Sequence, residues 1–386
     1  MQSDPVLVLF GDTERSPALR HELPLAIGDP FLFVEQGGQA FVVTSDLEKS
    51  RIAAVRPDVE ILDAASFGRK ELRERGLGHA ETEWEIAARA LQHLGIKHAT
   101  VPSSLPLGLG DRLRADGVEL DLDDHEVDGR RRSKQGAELD GVRRAQRAAE
   151  AGMAAAANIL ARSEPGPEGK LYVDGQVLNA ERVRADLRAA CADAAAPCPA
   201  DVIVASVWSG YGHEPGSGPL PAGLPIVVDL WPRDETSACW ADMTRTFVVG
   251  PSAPEHVELI AQQEEFVVAA LKEVLGIVRP GVTGRRLYDA TCDRFETAGF
   301  RTQRTGPGED PTEGFQFALG HGVGLEVHEE PSLGLGGYDP LVPGDVLAIE
   351  PGLWDRRIGG VRLEDLVLVT DDGCEVLTQY PYGLSP

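Results

Sequence analysis

Four acidic side chains of this sequence stand inside or at the end of segments that are otherwise apolar. The segments are P-I-V-V-D-L-W with Asp229, D-M-T-R-T-F-V-V-G with Asp242, V-L-A-I-E-P-G with Glu350, and G-G-V-R-L-E-D-L-V-L-V with Glu364. A buried, ionised carboxylate is costly unless it is paired or bound to a metal. One such acid could be a strand-end residue that reaches solvent, but four of them favour a shared role.

A glycine-rich stretch supplies two histidines. Residues 318–331, A-L-G-H-G-V-G-L-E-V-H-E-E-P, carry His321 and His328 seven positions apart. An odd spacing places two side chains on opposite faces of a straight strand. If the two rings converge, the chain must turn or bulge between them, which the glycines permit. The H-E-x-x-H zinc helix is excluded, because the position four after His328 is Ser332.

Four carboxylates and one histidine form a suitable ligand set for two divalent cations held close together and bridged by carboxylates. Such ligands favour Mn²⁺, Co²⁺ or Zn²⁺ over a metal that prefers thiolates. The metal-free alternative is a group of salt bridges, but Arg245 and Arg362 could pair with only some of the acids. We therefore expect two divalent metal ions per chain.

The first third of the chain is predicted to be a compact α/β domain, because strands alternate with helices to about residue 125. The predicted elements are a strand at 6–10, a strand pair within 31–44 around Gln36-Gly37-Gly38-Gln39, a helix at 81–94 and a strand at 98–102. An acidic run followed by a basic run occupies 119–134, and we interpret it as a solvated face or linker. The domain boundary is therefore placed near residue 134.

The remainder mixes helices with strands that are not joined by regular crossovers, which is an α+β pattern. Helices are predicted at 137–162, 179–191, 255–278 and 283–298, with Asn179 and Thr283 as N-caps. Period-two alternation places Asp242, Thr244 and Thr246 on one strand face, and Arg362 and Glu364 together on another.

Composition excludes some classes of partner and indicates a cellular compartment. The chain has 386 residues, enough for two domains, and 62 acidic against 37 basic residues give a formal charge of −25. Such a charge argues against nucleic acid and anionic membranes as partners. The five cysteines are scattered without a C-x-x-C pair, and neither a signal peptide nor a membrane-spanning run is evident. We expect a cytoplasmic protein.

In their order along the chain, these motifs resemble those of the M24 metallopeptidases, the pita-bread enzymes that include methionine aminopeptidase, aminopeptidase P, prolidase and creatinase. The resemblance covers about residues 135–380. Upstream, R-R-R-S-K-Q-G-A-E-L-D-G-V-R-R-A resembles the entry helix of the creatinase, prolidase and aminopeptidase P branch. It implies a pita-bread catalytic domain at 135–386, preceded by a smaller creatinase-like α/β domain at 1–134.

The resemblance also implies an activity, namely removal of an N-terminal residue that precedes proline from short peptides or dipeptides, by a homodimer. The implied metal ligands are Asp229, Asp242, His321, Glu350 and Glu364, with Asp242 and Glu364 bridging the two ions. The implied catalytic residues are His213, His328, Glu350 and Arg362. Glu350 would shuttle a proton to and from the attacking water, the two histidines would face the substrate, and Arg362 would buttress Glu364.

The sequence departs from the family pattern after Asp229. The family usually has D-x-G-A there, whereas this chain continues with Leu230, Trp231 and Pro232, and Asp242 follows thirteen residues after Asp229, two more than usual. The longer segment 231–240 is expected to rim the substrate cleft, where Trp231, Pro232 and Trp240 would offer apolar surface to a proline ring. The alternative is simple packing, which is more common for aromatic residues in a hairpin.

Several other functions were weighed. A methionine aminopeptidase would not need the N-terminal domain, and a creatinase-like hydrolase is disfavoured by the intact ligand set. A catalytically silent peptide-binding module and another M24 hydrolase of altered specificity remain alternatives. Nothing in the sequence favours a purely structural protein.

Overall fold

The computed structural model describes residues 6–134, 136–209, 213–306 and 308–386. The chain divides into two compact units, Met1–Arg131 and Arg132–Pro386. The first unit is built on a mixed six-stranded sheet in the order β4-β3-β2-β1-β5-β6. Its strands are β1 Leu7–Gly11, β2 Phe31–Gln36, β3 Gln39–Thr44, β4 Glu60–Asp63, β5 His98–Val101 and β6 Glu119–Leu122.

Helices pack on both faces of this sheet. They are α1 Pro17–Glu22, α2 Asp46–Val55, α3 Arg69–Glu74, α4 His79–His93, α5 Leu107–Ala115 and α6 Asp124–Gly129. Successive strand residues point to opposite faces, so Val8 joins the core that contains α4, while Leu7 and Leu9 join the core that contains α1 and α2. The predicted α/β arrangement is confirmed, as is the β2–β3 turn, where Gly37 and Gly38 adopt positive φ.

The charged run at 119–134 is ordered, and its two parts differ in exposure. Its acidic part forms β6 and α6 within the first unit, and most of its side chains are exposed, as a solvated face requires. In the second unit, Arg132 pairs with the fully buried Asp345 at 2.7 Å, and Lys134, only 4% exposed, pairs with Glu329. For this basic part the prediction was wrong, because the acidic partners lie about 200 positions further along the chain, where local charge patterning gives no sign of them.

The second unit contains four long helices and twelve short strands within its described residues. The helices are α7 Ala137–Ala161, α8 Ala180–Asp193, α9 Pro254–Leu275 and α10 Gly284–Thr297. The strands are β7 Glu164–Pro165, β8 Leu171–Val173, β9 Gln176–Val177, β10 Ile203–Ser206, β11 Ile226–Leu230, β12 Met243–Phe247, β13 Gly320–Gly322, β14 Val346–Ile349, β15 Gly352–Asp355, β16 Gly359–Arg362, β17 Asp365–Val369 and β18 Cys374–Val376. They form the sheets β10-β11-β12, β13-β14-β17-β18, β15-β16 and β7-β8-β9.

The central strands run between two helical layers. Along β14, Val346 and Ala348 face the core shared with α7 and α8, whereas Leu347 and Ile349 face the core shared with α9 and α10. Both faces are covered, so the strand reads as the unbroken apolar run V-L-A-I. The α+β prediction is confirmed for this unit, and the acid that follows β14 is carried into the interior.

Two predicted helix N-termini differ in their capping. Thr283 caps α10, since its hydroxyl accepts a hydrogen bond from the Arg286 amide at 3.2 Å. Asn179 occupies the N-cap of α8, but its side chain accepts no capping hydrogen bond in the described structure. In the part of the chain that the structure describes, no helix is both long enough and apolar enough to cross a bilayer.

Candidate metal centre

The four predicted acids reach one place because the strands that carry them end there. Asp229 lies in β11, the central strand of its sheet, opposite Thr244 of β12. Asp242 immediately precedes β12, and Glu350 immediately follows β14. Glu364 lies between β16 and β17, and its amide donates to the Thr244 carbonyl at 3.1 Å. This hydrogen bond links β12 to the segment between β16 and β17.

The two histidines converge through a turn, as the odd spacing requires. Gly322 and Glu329 exchange two backbone hydrogen bonds of 2.9 Å, and the rings of His321 and His328 lie 4.2 Å apart between centroids. Close backbone approach makes the glycines necessary. A Cβ at Gly320 would fall 1.9 Å from the Ala348 carbonyl oxygen, and one at Gly322 would fall 2.3 Å from that of Glu330.

The ligand atoms form overlapping groups of three, with the members of each group within 4.8 Å of one another. The groups are Asp229, Asp242 and Glu364; His321, Glu350 and Glu364; and Asp242, His321 and His328. The first two share Glu364 and together use all five predicted ligands. The third also brings in His328, to which we assigned no metal.

His321 is oriented to present a lone pair. Its Nδ1 lies 3.0 Å from the Gly322 carbonyl oxygen, which can only accept, so Nδ1 carries the proton and Nε2 does not. Nε2 lies 3.6 Å from Oε1 of Glu350 and 3.8 Å from Oδ2 of Asp242. Burial lowers the pKa of His321 to about 4, which keeps the ring neutral.

Burial also raises the pKa values of the four acids, because it disfavours their charged forms. It raises the pKa of Glu350 to about 7, and it raises the pKa of Asp229, Asp242 and Glu364 above the ordinary value. For Asp242 the neighbouring charge of Glu364 adds to this effect. Four carboxylates that each disfavour the charge of the next need compensating positive charge.

Arg362 supplies part of that charge. Its guanidinium donates to Oδ2 of Asp229, and its Nε lies 4.0 Å from Oε2 of Glu350. Glu364 accepts a hydrogen bond of 2.7 Å from the Thr244 hydroxyl. Thr244 is a site residue whose strand face we predicted but to which we assigned no role.

The donor set fits divalent cations. Within the described chain, no group donates a hydrogen bond to the buried Oδ1 of Asp229. Oxygen ligands with one imidazole suit borderline and hard divalent ions, and a cation between the acids would relieve their repulsion. The metal-free alternative of salt bridges leaves most of this charge unmatched, because Arg245 turns away to Asp365 at 2.9 Å.

A cavity of about 490 Å³ opens onto the five ligands. His213, His328 and Arg362 line it, so the structure brings all eight predicted site residues together. His213 also lines an adjoining cavity of about 230 Å³, walled by Pro311, Phe317 and Trp354. Sequence reasoning did not identify these three residues, which stand in stretches without a motif.

The segment 231–240 meets the cavity only at its start. Trp231 lines the cavity wall. Trp240 instead packs against the core of α7 and α8, and its indole donates to the Leu325 carbonyl at 3.2 Å. The expectation that Trp240 offers a surface to the substrate was wrong, and the packing alternative describes this residue.

Comparison with known proteins places these features in context. The model of metallopeptidase family M24 matches residues 140–371. The Xaa-Pro dipeptidase of Pyrococcus horikoshii is 36% identical over 139 residues, which are 36% of this chain and 35% of that protein. The probable dipeptidase PepE of Mycobacterium tuberculosis is 32% identical over 209 residues, 53% of this chain and 52% of that protein. The chain thus spans about a third to a half of the length of these relatives.

Likeness in three dimensions extends over nearly the whole chain. The solved structure of the Xaa-Pro dipeptidase from Bacillus anthracis superposes with a TM-score of 0.77 at 22% identity, covering 98% of this chain and 94% of that one. At this identity the likeness establishes the fold alone, which is the predicted pita-bread fold preceded by a smaller α/β unit.

Proposed function

Because this chain belongs to metallopeptidase family M24, we propose that it is a metal-dependent peptidase that removes an N-terminal residue preceding proline. The observation that carries this proposal is the pair of ligand groups that share Glu364. Two overlapping groups are what a dinuclear centre with a bridging carboxylate requires.

In this proposal Asp229, Asp242 and Glu364 hold one ion, and His321, Glu350 and Glu364 hold the other, with Asp242 reaching both. The ions are Mn²⁺, Co²⁺ or Zn²⁺. When bound, such a pair supplies a water of lowered pKa and polarises the carbonyl to be cleaved.

Around the ligands we assign three further roles. Glu350 takes the proton of the attacking water and returns it to the leaving nitrogen. His328 and His213 line the cavity and donate to the substrate carbonyl or to the negative charge that develops on it. Arg362 is a positioning residue that holds Asp229 through its guanidinium.

The adjoining cavity supports an apolar substrate group next to the scissile bond. Phe317 and Trp354 form its walls, and aromatic faces pack well against a pyrrolidine ring. Trp354 is held by close contact, since a Cβ at Gly360 would lie 1.8 Å from its ring. This wall, rather than Trp240, is the surface that we assign to proline.

The assignment is tested with a peptide panel. Purified protein is supplied with Mn²⁺, Co²⁺ or Zn²⁺ and offered Ala-Pro, Ala-Pro-Gly and Ala-Ala, and release of alanine is measured. The proposal expects cleavage of one or both proline peptides and little cleavage of Ala-Ala. Cleavage of Ala-Ala alone would reassign the specificity, and peptide binding without turnover under every metal would make the chain a silent module.

We extend the proposal to the context of the protein. A cytoplasmic location is supported by the five cysteines, all of which are free thiols. Residues 1–134 are proposed as a creatinase-like N-terminal domain and 135–386 as the catalytic domain. A homodimer is proposed from the family resemblance, and sedimentation of the purified protein tests it.

A further inference from the structure

Asp201 is a carboxylate in the cavity wall that the proposed roles leave unused. It lines the same cavity as Asp229 and His328, and it is exposed to the solvent that fills that cavity. No hydrogen bond or ion pair within the described chain engages it, unlike Asp229, which Arg362 holds. Asp201 is therefore available to a ligand.

An aromatic ring lines the same cavity wall as this carboxylate. Ile203 of β10 lies opposite Asp229 of β11. Asp201 lies two residues before Ile203 and Trp231 lies two residues after Asp229, so both flank the same end of this strand pair. Residues two apart point to the same side of a strand, and Trp231 does line the cavity with Asp201. A carboxylate and an indole thus share one end of the wall.

This pair is complementary to a positive charge. A carboxylate attracts an ammonium or guanidinium group through a charge-assisted hydrogen bond, and an indole face attracts the same groups through its quadrupole. Arg362, the arginine of this cavity lining, is engaged with Asp229. A cationic group of the substrate would therefore find in Asp201 a carboxylate that is neither a proposed metal ligand nor a partner of Arg362.

Distance identifies which substrate group that is. Two strand residues separate Asp201 from the position opposite Asp229, roughly 7 Å along the strand. The α-ammonium of a peptide is two bonds from the scissile carbonyl carbon, so it stays beside the ligands. The long stem of lysine or arginine spans the larger gap. We propose that Asp201 and Trp231 form a subsite for a cationic side chain on the residue ahead of the scissile bond.

This inference rests on the proposed function, and it names the substrate class as Lys-Pro and Arg-Pro peptides. Hydrolysis of Lys-Pro, Met-Pro and Glu-Pro is compared for the wild type, Asp201→Asn and the matched control Asp371→Asn, which changes an exposed acid outside the cavity lining. Binding of the same dipeptides to the metal-free protein, which should not turn them over, is measured by calorimetry.

We expect kcat/KM for Lys-Pro to exceed that for Met-Pro by about fivefold or more, with Glu-Pro lowest, and we expect Asp201→Asn to abolish the difference. The readout for Asp201→Asn is the ratio of kcat/KM for Lys-Pro to that for Met-Pro, and Asp371→Asn should keep the wild-type activity on all three peptides. A uniform loss on all three peptides in Asp201→Asn, or no change, would overturn the subsite. If the wild type cleaves no Xaa-Pro peptide, the proposed function fails and calorimetry decides the subsite. Equal binding of Lys-Pro and Met-Pro would then reject it.

Discussion

The carboxylate of Glu364 is held by a hydroxyl that comes from 120 positions earlier in the chain. Thr244 donates to Oε2 of Glu364 at 2.7 Å, and both residues are at most 1% exposed. A hydrogen bond to a ligand fixes its orientation and is worth much of the affinity for the ion. Thr244 is thus as much a part of the proposed centre as the acid that it contacts.

Thr244→Val removes this donor and keeps the shape of the side chain. We expect divalent-metal affinity to fall by about ten- to a hundredfold, as measured by titration of the metal-free protein with Mn²⁺. Thr378→Val is the control, because that buried hydroxyl accepts from the Leu366 amide at 2.8 Å and contacts no proposed ligand. An equal loss of affinity in both variants would mean that destabilisation, rather than ligand orientation, is responsible.

The two histidines should separate by function although their rings are neighbours. His321→Ala removes a proposed ligand, so metal content and turnover should fall together. His328→Ala should keep the metal and lower kcat, because in the proposal this ring acts on the substrate. Metal analysis by mass spectrometry beside steady-state kinetics checks both. The third ligand group, with Asp242, His321 and His328, would be the true one if His328→Ala lost metal as completely as His321→Ala.

The sequence could identify the acids because a carboxylate in an apolar strand is a local anomaly that stands out. It could not identify their partners. Thr244 and Arg245 look like ordinary strand residues, yet Arg245 is fully buried and donates to the Glu364 carbonyl at 2.7 Å and to Asp365. Such contacts depend on which strands lie next to one another in the fold, and neither local sequence predicts that arrangement.

The hairpin at 320–329, which carries His321 and His328, is held by contacts with Lys134 near the start of α7. Lys134 forms an ion pair with Glu329 in which both side chains are 3% exposed, and its amide donates to the Gly344 carbonyl at 3.2 Å. A Cβ at Gly324 would collide with the Lys134 stem at 2.3 Å. The basic residue at the entry of α7 thus packs beneath the hairpin.

Lys134→Met should destabilise the protein strongly, because it leaves the Glu329 carboxylate buried without its cation. The free energy of unfolding should fall by about 3–5 kcal/mol, as measured by urea denaturation. Lys170→Met is the matched control, since the side chains of the Lys170–Glu168 pair are 29% and 74% exposed and water screens their attraction, so its loss should change the free energy of unfolding little. Equal effects of the two changes would show that the buried pair does not secure the hairpin.

Local sequence patterns predicted some elements of the second unit more accurately than others. The helix α7 was predicted at 137–162 and found at Ala137–Ala161, because alanine-rich spacing over seven turns leaves little ambiguity. The segment 231–240 was predicted as a substrate rim, but only Trp231 reaches the cavity. Apolar side chains predict burial, but they do not indicate whether a substrate or the protein core buries them.

The second unit concentrates negative charge where two helical layers enclose its central strands. Its cores lie on either side of β14 and β17, so the acids at the strand ends are supported by a rigid scaffold but are poorly solvated. Without cations this arrangement is costly. Loading with metal is therefore expected to stabilise the folded chain by mass action.

Calorimetric melting gives the corresponding prediction. The Tm of the metal-free protein should rise on addition of Mn²⁺, and the rise should be absent in Asp242→Ala, which lacks an acid shared by two of the three ligand groups. A control acid away from the centre, Asp371→Asn, should behave like the wild type. Equal shifts in the wild type and in Asp242→Ala would place the stabilising metal elsewhere.

The most direct measurement is hydrolysis of Xaa-Pro dipeptides by one preparation that is stripped with chelator, dialysed and then titrated with Mn²⁺. The account predicts no turnover in the metal-free protein, recovery as metal is added, and saturation at two ions bound per chain. Full activity of the metal-free protein would contradict it.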